Sequence, residues 1–253
     1  MTSPFHNQIA LVTGANDPEG LGYGIARELI EDGATVYFGC RLDAQLEALA
    51  EPLKSFGDSA RAIQLNVSAP ESIASAFQRI EHEAGRLDIL VNNAGDGANC
   101  SALDETAGQW DRIMTANARG PLLCSQAAAR LMLPRNYGRI VNISSQAASV
   151  AIMNHVAYSS SKAALNMLTK SMALEWAPLG ITVNAVAPTY LMTPGTRPHL
   201  EKADFRQSVL ARIPVGRVGC IHDIAHAVRF LSHPDSGLIT GEILMVDGGW
   251  TLA

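Results

Sequence analysis

The chain has 253 residues, 47% of them hydrophobic, and this is enough to bury one large core. A net charge of -5 leaves no basic surface for nucleic acid, so no nucleic-acid partner is expected. No apolar run approaches the ~20 residues that span a bilayer, so we expect a cytoplasmic protein without a membrane partner.

Short apolar runs alternate with stretches of helical periodicity along the whole chain. Because the runs are continuously apolar, both faces of each strand are expected to be buried, as in a parallel sheet between helices. The pattern predicts one α/β domain over 1–253, a Rossmann fold with a doubly wound, seven-stranded parallel sheet. The predicted strands cover 8–13, 35–40, 61–67, 87–92, 139–144, 181–187 and 243–246, and the main helices after the first cover 44–56, 70–83, 106–133, 156–176 and 221–231.

Glycines follow the first predicted strand. Gly14 ends the strand, and Gly20, Gly22 and Gly24 follow before a helix-like segment that runs to Glu31. Such a loop can bring backbone N–H groups and a helix N-terminus to a pyrophosphate, although an isolated glycine cluster can also be a simple turn. Its place directly after a buried strand favours a dinucleotide site.

The end of the second strand bears on the choice of dinucleotide. Arg41 stands there with no acid before Asp43, and an arginine in this place can pair with a 2′-phosphate. NADP(H) is therefore favoured, while NAD(H) stays possible because Arg41 can instead stack on adenine or lie in solvent. Asp17 and Glu19, in the glycine loop, argue mildly against NADP(H) and are expected to face solvent.

Tyr158 and Lys162 lie four residues apart in a helix predicted over 155–178, with Ser145 thirteen residues before Tyr158. This spacing places the phenol and the ammonium on one helix face, roughly 6 Å apart. We expect the positive charge of Lys162 to lower the pKa of Tyr158 from about 10 toward the neutral range, where a general acid or base works best.

These motifs together resemble the short-chain dehydrogenase/reductase family in its compact single-domain form. Gly14, Gly20 and Gly22 are similar to its glycine loop, residues 92–95 to its NNAG stretch, and Pro188 with Thr193 to the segment beside the nicotinamide. The resemblance identifies Asn117, Ser145, Tyr158 and Lys162 as the catalytic tetrad. It implies that these residues bind the cofactor: Gly14, Gly20, Leu21, Gly22, Arg41, Asn66, Val67, Asn93, Ala94, Gly95, Tyr158, Lys162, Pro188 and Thr193.

The family resemblance also implies roles for the tetrad. Hydride passes between nicotinamide and a carbonyl carbon while Tyr158 exchanges a proton with the oxygen. Lys162 keeps Tyr158 acidic and binds the nicotinamide ribose, and Ser145 hydrogen-bonds the substrate oxygen. The amide of Asn117 is expected to hold a water that connects Lys162 to solvent.

Three features of the sequence depart from the family pattern: the length of the glycine loop and the residues at positions 66 and 189. The glycine loop is two residues longer than usual, which resembles the enoyl-reductase branch, but that branch has its tyrosine seven residues before the lysine, where this chain has His155. Carbonyl or alcohol chemistry is therefore favoured. Asn66 replaces an aspartate expected to face adenine, and Thr189 replaces a glycine after Pro188.

The substrate pocket is expected in the loops after the strands, with Ala147, Met153, His155 and Tyr190 in its wall and 189–212 as a lid. This small apolar wall favours a medium-sized, mostly uncharged ketone or secondary alcohol, although Arg197 and His199 of the lid can contact an anionic group. The alternatives are a 3-oxoacyl-thioester (ACP) reductase, an NAD(H)-preferring alcohol dehydrogenase and a catalytically silent nucleotide-sensing protein.

Two further features concern metals and assembly. His222 and His226 have the spacing of a zinc-binding helix, but no third ligand is evident and no metal is expected. Two predicted helices carry more small and apolar residues than one sheet can cover, and the family resemblance implies a homotetramer with Trp250 and Leu252 near an interface. The apolar residues concerned are Ala127, Ala128, Ala129, Met132, Ala163, Ala164 and Met167.

Overall fold

Seven parallel strands form one sheet at the centre of the protein. The structure is a computed structural model that describes residues 3–253. The spatial order β3-β2-β1-β4-β5-β6-β7 reverses direction between β1 and β4, which creates a crevice at the carboxyl ends of those two strands. The strands are β1 (Ile9–Thr13), β2 (Thr35–Cys40), β3 (Ala60–Gln64), β4 (Ile89–Asn92), β5 (Gly138–Ile143), β6 (Ile181–Pro188) and β7 (Ile243–Val246).

Helices cover both faces of the sheet, as the sequence predicts. Helices α1, α2 and α9 enclose one core, and α3, α5 and α6 enclose the other. The central strands β4, β5 and β6 are buried along their whole length, because both faces carry a helix layer. The helices are α1 (Leu21–Glu31), α2 (Asp43–Leu53), α3 (Pro70–Ala84), α4 (Ala107–Met114), α5 (Gly120–Met132), α6 (Val156–Trp176), α7 (Arg197–Leu200), α8 (Ala203–Leu210) and α9 (Ile221–Ser232).

The prediction of a single helix over 106–133 is wrong, because a π-helical turn over Thr115–Arg119 separates α4 from α5. Pro121 lies in the first turn of α5 and has no N–H to donate to the carbonyl four residues earlier, that of Asn117. Single π turns of this kind are frequent at functional sites. The turn contains Asn117, so the interruption lies at a predicted catalytic residue.

The segment 189–212, expected from the sequence to be a lid, is partly helical. It contains α7 and α8, and its apolar residues pack around Trp250, which is 3% exposed. The guanidinium of Arg212 lies 4.4 Å from the centroid of the Trp250 ring. Trp250, expected near a subunit interface, is thus already covered by its own chain. Among residues 3–253, no helix is both long and apolar enough to cross a bilayer.

Candidate active site

The glycine loop is held against the loop that follows β4. Gly14 has a φ of +66°, and a Cβ there would lie 2.9 Å from the Cα of Ala94. Asn93 Nδ2 donates hydrogen bonds to the carbonyl oxygens of Thr13 (2.9 Å) and Gly14 (3.1 Å). Thr13 Oγ1 in turn accepts from the backbone N–H groups of Asn93 and Ala94. Sequence analysis missed Thr13, whose only signal is a hydroxyl at the end of the first strand.

The N-terminus of α1 suits a pyrophosphate. Its N-cap, Gly20, offers no side-chain cap, and the first turn contains no acidic residue. A Cβ at Gly22 would lie 2.5 Å from the carbonyl oxygen of Gly14, so only glycine lets the helix start this close to the loop. Open backbone N–H groups and the helix dipole together favour an anion at this place.

The two carboxylates of the loop are both engaged. Asp17 Oδ1 accepts from the backbone N–H of Glu19 at 3.0 Å. Glu19 forms a salt bridge of 3.0 Å with Arg197, at the start of α7. This salt bridge connects the glycine loop to the segment 189–212. Arg197, which sequence analysis considered for an anionic substrate group, already has a carboxylate partner.

Arg41 and Asn66 lie at the carboxyl ends of β2 and β3 and line one cleft of about 460 Å³, together with Gln64, Ser72 and Arg79. The Asn66 side chain accepts from the backbone N–H of Ser68 at 3.0 Å, which fixes the turn after β3. Two guanidinium groups and the carboxylate of Glu71 line the cleft. Arg79 is paired with Glu83 at 2.6 Å, so Arg41 is the candidate for binding a phosphate.

Tyr158 and Lys162 lie on one face of α6, as predicted. Lys162 Nζ lies 5.8 Å from the centroid of the Tyr158 ring, and the Lys162 side chain is almost completely buried. Lys162 Nζ donates to the carbonyl oxygen of Ile143 at 2.7 Å. This hydrogen bond fixes the ammonium at the end of β5 and leaves its other two hydrogens available.

The predicted lowering of the Tyr158 pKa is wrong when the groups of the protein itself are considered. Burial raises the pKa of Tyr158 and Tyr190 adds to the rise, while a hydrogen bond with Ser145 acts in the opposite direction. Burial also lowers the pKa of Lys162, to about 8. Both shifts have one cause: a charged phenolate or ammonium loses its hydration in the interior. The prediction from the sequence rested on the attraction between the two charged groups and left out this loss of hydration.

Ser145 follows β5 and caps a 3₁₀ turn over Gln146–Ala148. Its Oγ accepts from the backbone N–H of Ala147 at 3.1 Å and donates to Gln146 Oε1 at 3.1 Å. Ser145 also interacts with Tyr158, so the two side chains share one site. Gln146 was missed by sequence analysis, because a glutamine beside a serine carries no recognisable pattern.

Asn117 is completely buried, and its side-chain amide is fully used within the protein. Oδ1 accepts from the backbone N–H of Asp96 at 2.7 Å, and Nδ2 donates to the Asp96 carbonyl (2.8 Å) and to Ser161 Oγ (2.9 Å). Both N–H donors of the amide are occupied, so the water expected from the sequence would have to donate to Oδ1. Asn117 instead joins the π turn to the loop after β4 and to α6. Gly95 lies in the same loop and is close to the lysine: a Cβ on Gly95 would be 3.6 Å from Lys162 Nζ.

The predicted pocket residues are at different depths. Ala147 is buried. Tyr190 packs between Trp250 and Phe205, in the apolar cluster that the segment 189–212 forms around Trp250. The His155 ring lies edge-on to Tyr158, with 6.2 Å between the ring centroids. Met153 is 85% exposed and lies on the rim, so its assignment to the pocket wall is wrong.

The remaining cofactor candidates share the carboxyl edge of the sheet. Leu21 is the first residue of α1, Pro188 ends β6, and Thr193 Oγ1 lies 3.1 Å from Thr196 Oγ1 in the lid. Val67 is mostly buried below Gly120, where a Cβ would lie 2.7 Å from the Val67 carbonyl oxygen. The loops of this edge thus bring the cofactor candidates and the catalytic candidates together.

Comparison with known proteins agrees with this geometry. A family model described as enoyl-(acyl carrier protein) reductase matches residues 14–251. The 3-oxoacyl-[acyl-carrier-protein] reductase FabG of Escherichia coli is 37% identical over 245 residues, which are 97% of this chain and 98% of that protein. The gluconate 5-dehydrogenase of Gluconobacter oxydans is 33% identical over 244 residues, 96% of this chain and 94% of that protein.

A solved structure is similar over its full length. It is a gluconate 5-dehydrogenase from Burkholderia cenocepacia in complex with NADP and tartrate, with a TM-score of 0.93, 33% identity, and coverage of 100% of this chain and 99% of the other. The chain belongs to the short-chain dehydrogenase/reductase family. As a member of that family it is an NAD(P)-dependent oxidoreductase.

One sequence motif has no part in the short-chain dehydrogenase/reductase site. His222, in the helix that resembles a zinc-binding motif, lies on α9, where its Nδ1 is 2.8 Å from Glu28 Oε1. Glu28 is buried on α1 and lies 3.6 Å from Arg229. These residues connect α1 to α9 behind the nucleotide loop.

Proposed function

We propose that the protein is an NADP(H)-dependent carbonyl reductase or secondary-alcohol dehydrogenase with Tyr158 as its general acid and base. The observation that supports this most directly is that Ser145, Tyr158 and Lys162 converge beside the loop after β4, which in turn contacts the glycine loop. The four-residue spacing of Tyr158 and Lys162 favours carbonyl chemistry over enoyl reduction, even though the matching family model is described as an enoyl reductase.

The residues divide the proton chemistry among themselves. The bound cofactor supplies the hydride to the carbonyl carbon, or takes it from the alcohol. Tyr158 donates its proton to the carbonyl oxygen, and Ser145 stabilises the negative charge that develops there. The Lys162 ammonium then stabilises the tyrosinate, and it is protonated below its pKa of about 8. Asn117 acts as a positioning residue, since its amide bonds hold the loop after β4 against α6.

The proposed preference for NADP(H) rests on Arg41 and the cleft beside it. The relative from Burkholderia cenocepacia, which was solved with NADP, supports the same choice. We expect NADPH to bind more tightly than NADH in a fluorescence titration. Arg41→Gln is expected to weaken NADPH binding by about 10- to 100-fold and NADH binding by less than about 3-fold, because only NADPH carries the 2′-phosphate. Equal losses for the two cofactors would contradict this assignment.

A ketone panel with Tyr158→Phe tests the reaction. We expect the wild type to oxidise NADPH in the presence of ketones, and Tyr158→Phe to lose about 100- to 10,000-fold in kcat because the proton donor is gone. NADPH binding should change little, and a titration of the variant checks this. Full turnover by Tyr158→Phe would show that another group transfers the proton.

A second candidate is reduction of 3-oxoacyl thioesters, which the name of the Escherichia coli relative favours. Acetoacetyl thioesters and free ketones, compared at equal concentration, separate the two candidates by kcat/KM. The Gluconobacter oxydans relative favours oxidation of a hydroxylated acid instead, so gluconate with NADP belongs in the same panel.

We further propose that the chain is one catalytic domain over 1–253, that 189–212 is its lid, and that it acts in the cytoplasm as a homotetramer. Met167 and Leu174 on α6 are 62% and 82% exposed and support a partner on this face. Ala128, Ala129 and Met132, which sequence analysis assigned to the same surface, are buried in the core of their own subunit and give no such support.

A further inference from the structure

Glu19 of the glycine loop and Arg197 of the segment 189–212 form an ion pair that takes no part in the proton chemistry. Glu19 Oε2 lies 3.0 Å from Arg197 Nη1. Glu19 directly precedes Gly20, the N-cap of α1, and Arg197 is the first residue of α7. The pair therefore joins the pyrophosphate end of the site to the segment that follows β6.

The two partners follow strands that are far apart in the sheet. β4 and β5 lie between β1, which leads into the glycine loop, and β6, which leads into the segment 189–212. Neighbouring strands are ~4.8 Å apart, so the ends of β1 and β6 are separated by roughly 14 Å. For the side chains of Glu19 and Arg197 to meet, the two loops have to reach toward each other across the carboxyl ends of β4 and β5.

The candidate cofactor residues lie at both ends of this connection and between them. Gly22 lies on the side of the glycine loop, and Thr193 lies in the segment 189–212. Ala94 follows β4, and Lys162 Nζ binds the carbonyl oxygen of Ile143 at the end of β5. A dinucleotide that contacts both ends has to cross the same gap that the ion pair spans.

Both partners stand on turns whose backbone is held by hydrogen bonds. Asp17 Oδ1 accepts from the N–H of Glu19 at 3.0 Å, and the Asp17 carbonyl accepts from the N–H of Gly20 at 2.8 Å. On the other side, the N–H of Arg197 donates to the Thr193 carbonyl at 2.8 Å. The Glu19 and Arg197 side chains are 64% and 43% exposed, so water and salt compete with the pair.

We propose that the Glu19–Arg197 pair is a gate over the dinucleotide site, which has to open each time NADP(H) enters or leaves. Because both charges belong to the protein, the pair slows entry and exit by the same factor and leaves the affinity unchanged. The gate concerns the exchange of the cofactor, so this inference goes beyond the proposed substrate and reaction and is tested without turnover.

Stopped-flow fluorescence measures both rate constants. Association follows the change in NADPH fluorescence on mixing, and dissociation follows the displacement of NADPH by excess NADP⁺. Glu19→Gln removes one charge and keeps the length of the side chain. It is expected to raise both rate constants by about 2- to 5-fold, while the Kd changes by less than about 2-fold. The difference from the wild type should shrink as KCl is raised from about 50 to about 500 mM, because salt screens the exposed pair.

Arg197→Gln supplies the background that separates an ion pair from a general repulsion between Glu19 and the cofactor. In Arg197→Gln, the further change Glu19→Gln should alter either rate constant by less than about 1.5-fold, since the pair is already broken. Arg197→Lys keeps the charge and should stay within about 2-fold of the wild type. Glu81→Gln, the same loss of charge at an exposed position of α3, should leave both rate constants unchanged.

Three results would overturn the gate. Slower dissociation from Glu19→Gln would mean that the released Arg197 binds the pyrophosphate. An equal acceleration by Glu19→Gln with and without Arg197 would mean that Glu19 only repels the cofactor. Unchanged rate constants would mean that the pair does not restrict exchange. Each of these results leaves the proposed function intact, whereas absent ketone reduction together with the expected rate constants would refute the proposed function alone.

Discussion

At the scale of single residues, burial controls the Tyr158–Lys162 pair more than the attraction between the two side chains does. The interior raises the pKa of Tyr158 and lowers that of Lys162, so each group is driven toward its neutral form. At neutral pH the pair is a neutral phenol beside an ammonium. This is the state required to donate a proton to a carbonyl oxygen, and it favours reduction.

The buried ammonium predicts a pH dependence of stability. The pKa of Lys162 is about 8 in the folded protein and 10.5 for an ordinary lysine. Between these values the unfolded chain binds more protons, so this residue makes the free energy of unfolding rise with pH. We expect Lys162→Met to remove that rise, which amounts to about 3 kcal/mol over the whole window.

Urea unfolding at pH 7.5, 8.5 and 9.5 measures this difference, with Lys170→Met, an exposed change on the same helix, as the control. The free energies of wild type and control should rise together with pH relative to Lys162→Met. Parallel profiles for all three proteins would mean that the lysine is hydrated in the folded state.

At the scale of elements, the contact between α1 and α9 supports the glycine loop from behind. Gly24, in the second turn of α1, faces Ile221, the first residue of α9, and a Cβ on Gly24 would overlap the Ile221 Cγ2 methyl group. The close approach of these helices requires a glycine at this position, while glycine inside a helix is otherwise unfavourable by about 1 kcal/mol.

We expect Gly24→Ala to destabilise the protein by about 1–3 kcal/mol, because the added methyl group overpacks the helix contact. Ile221→Ala removes the opposing methyl, so the double variant should lose less than the sum of the two single changes. Urea denaturation measures all three.

Gly108→Ala in α4 is the control for this helix contact. Apart from its chain neighbours and the backbone of its own helix, no atom of residues 3–253 lies within 4 Å of a Cβ at Gly108, so this change should be neutral or stabilising by up to about 1 kcal/mol. Strict additivity of Gly24→Ala and Ile221→Ala would contradict the proposed overlap.

At the scale of the whole molecule, α6 contributes side chains to two different surfaces, one on each face of the helix. Its inner face carries Tyr158 and Lys162, and its outer face exposes Met167 and Leu174. Large apolar side chains with such exposure, close to one another on one helix, are typical of an interface. A second subunit on this face would stabilise the helix that holds the catalytic pair.

We expect Met167→Asp to shift the protein from the proposed tetramer toward smaller species, because it would place a charge in an apolar interface at a cost of several kcal/mol. Sedimentation velocity over a range of concentrations measures the shift. Gln78→Asp, the same new charge on α3, should keep the wild-type distribution. An unchanged distribution for Met167→Asp would place the interface elsewhere.

Much of the fold, and the place of the candidate catalytic residues in it, could be predicted from the sequence, because local spacing determines them. Continuous apolar runs specify buried parallel strands, and the four-residue spacing of Tyr158 and Lys162 specifies one helix face. The sequence by itself thus determined the sheet, the family and the residues at its carboxyl edge. Thr13 had no signal of this kind, since its contribution depends on hydrogen bonds from the loop after β4.

The tertiary structure decided what depends on contacts between distant segments. The N–H donors of Asn117 are taken by the Asp96 carbonyl and Ser161, so this side chain joins two segments of the chain. Arg197 binds Glu19 of the glycine loop, and Met153 lies at the surface. The direction of the Tyr158 pKa shift also follows from the packing around it. Burial and hydrogen-bond competition arise only when the chain is folded, whereas periodicity and spacing are properties of the chain itself.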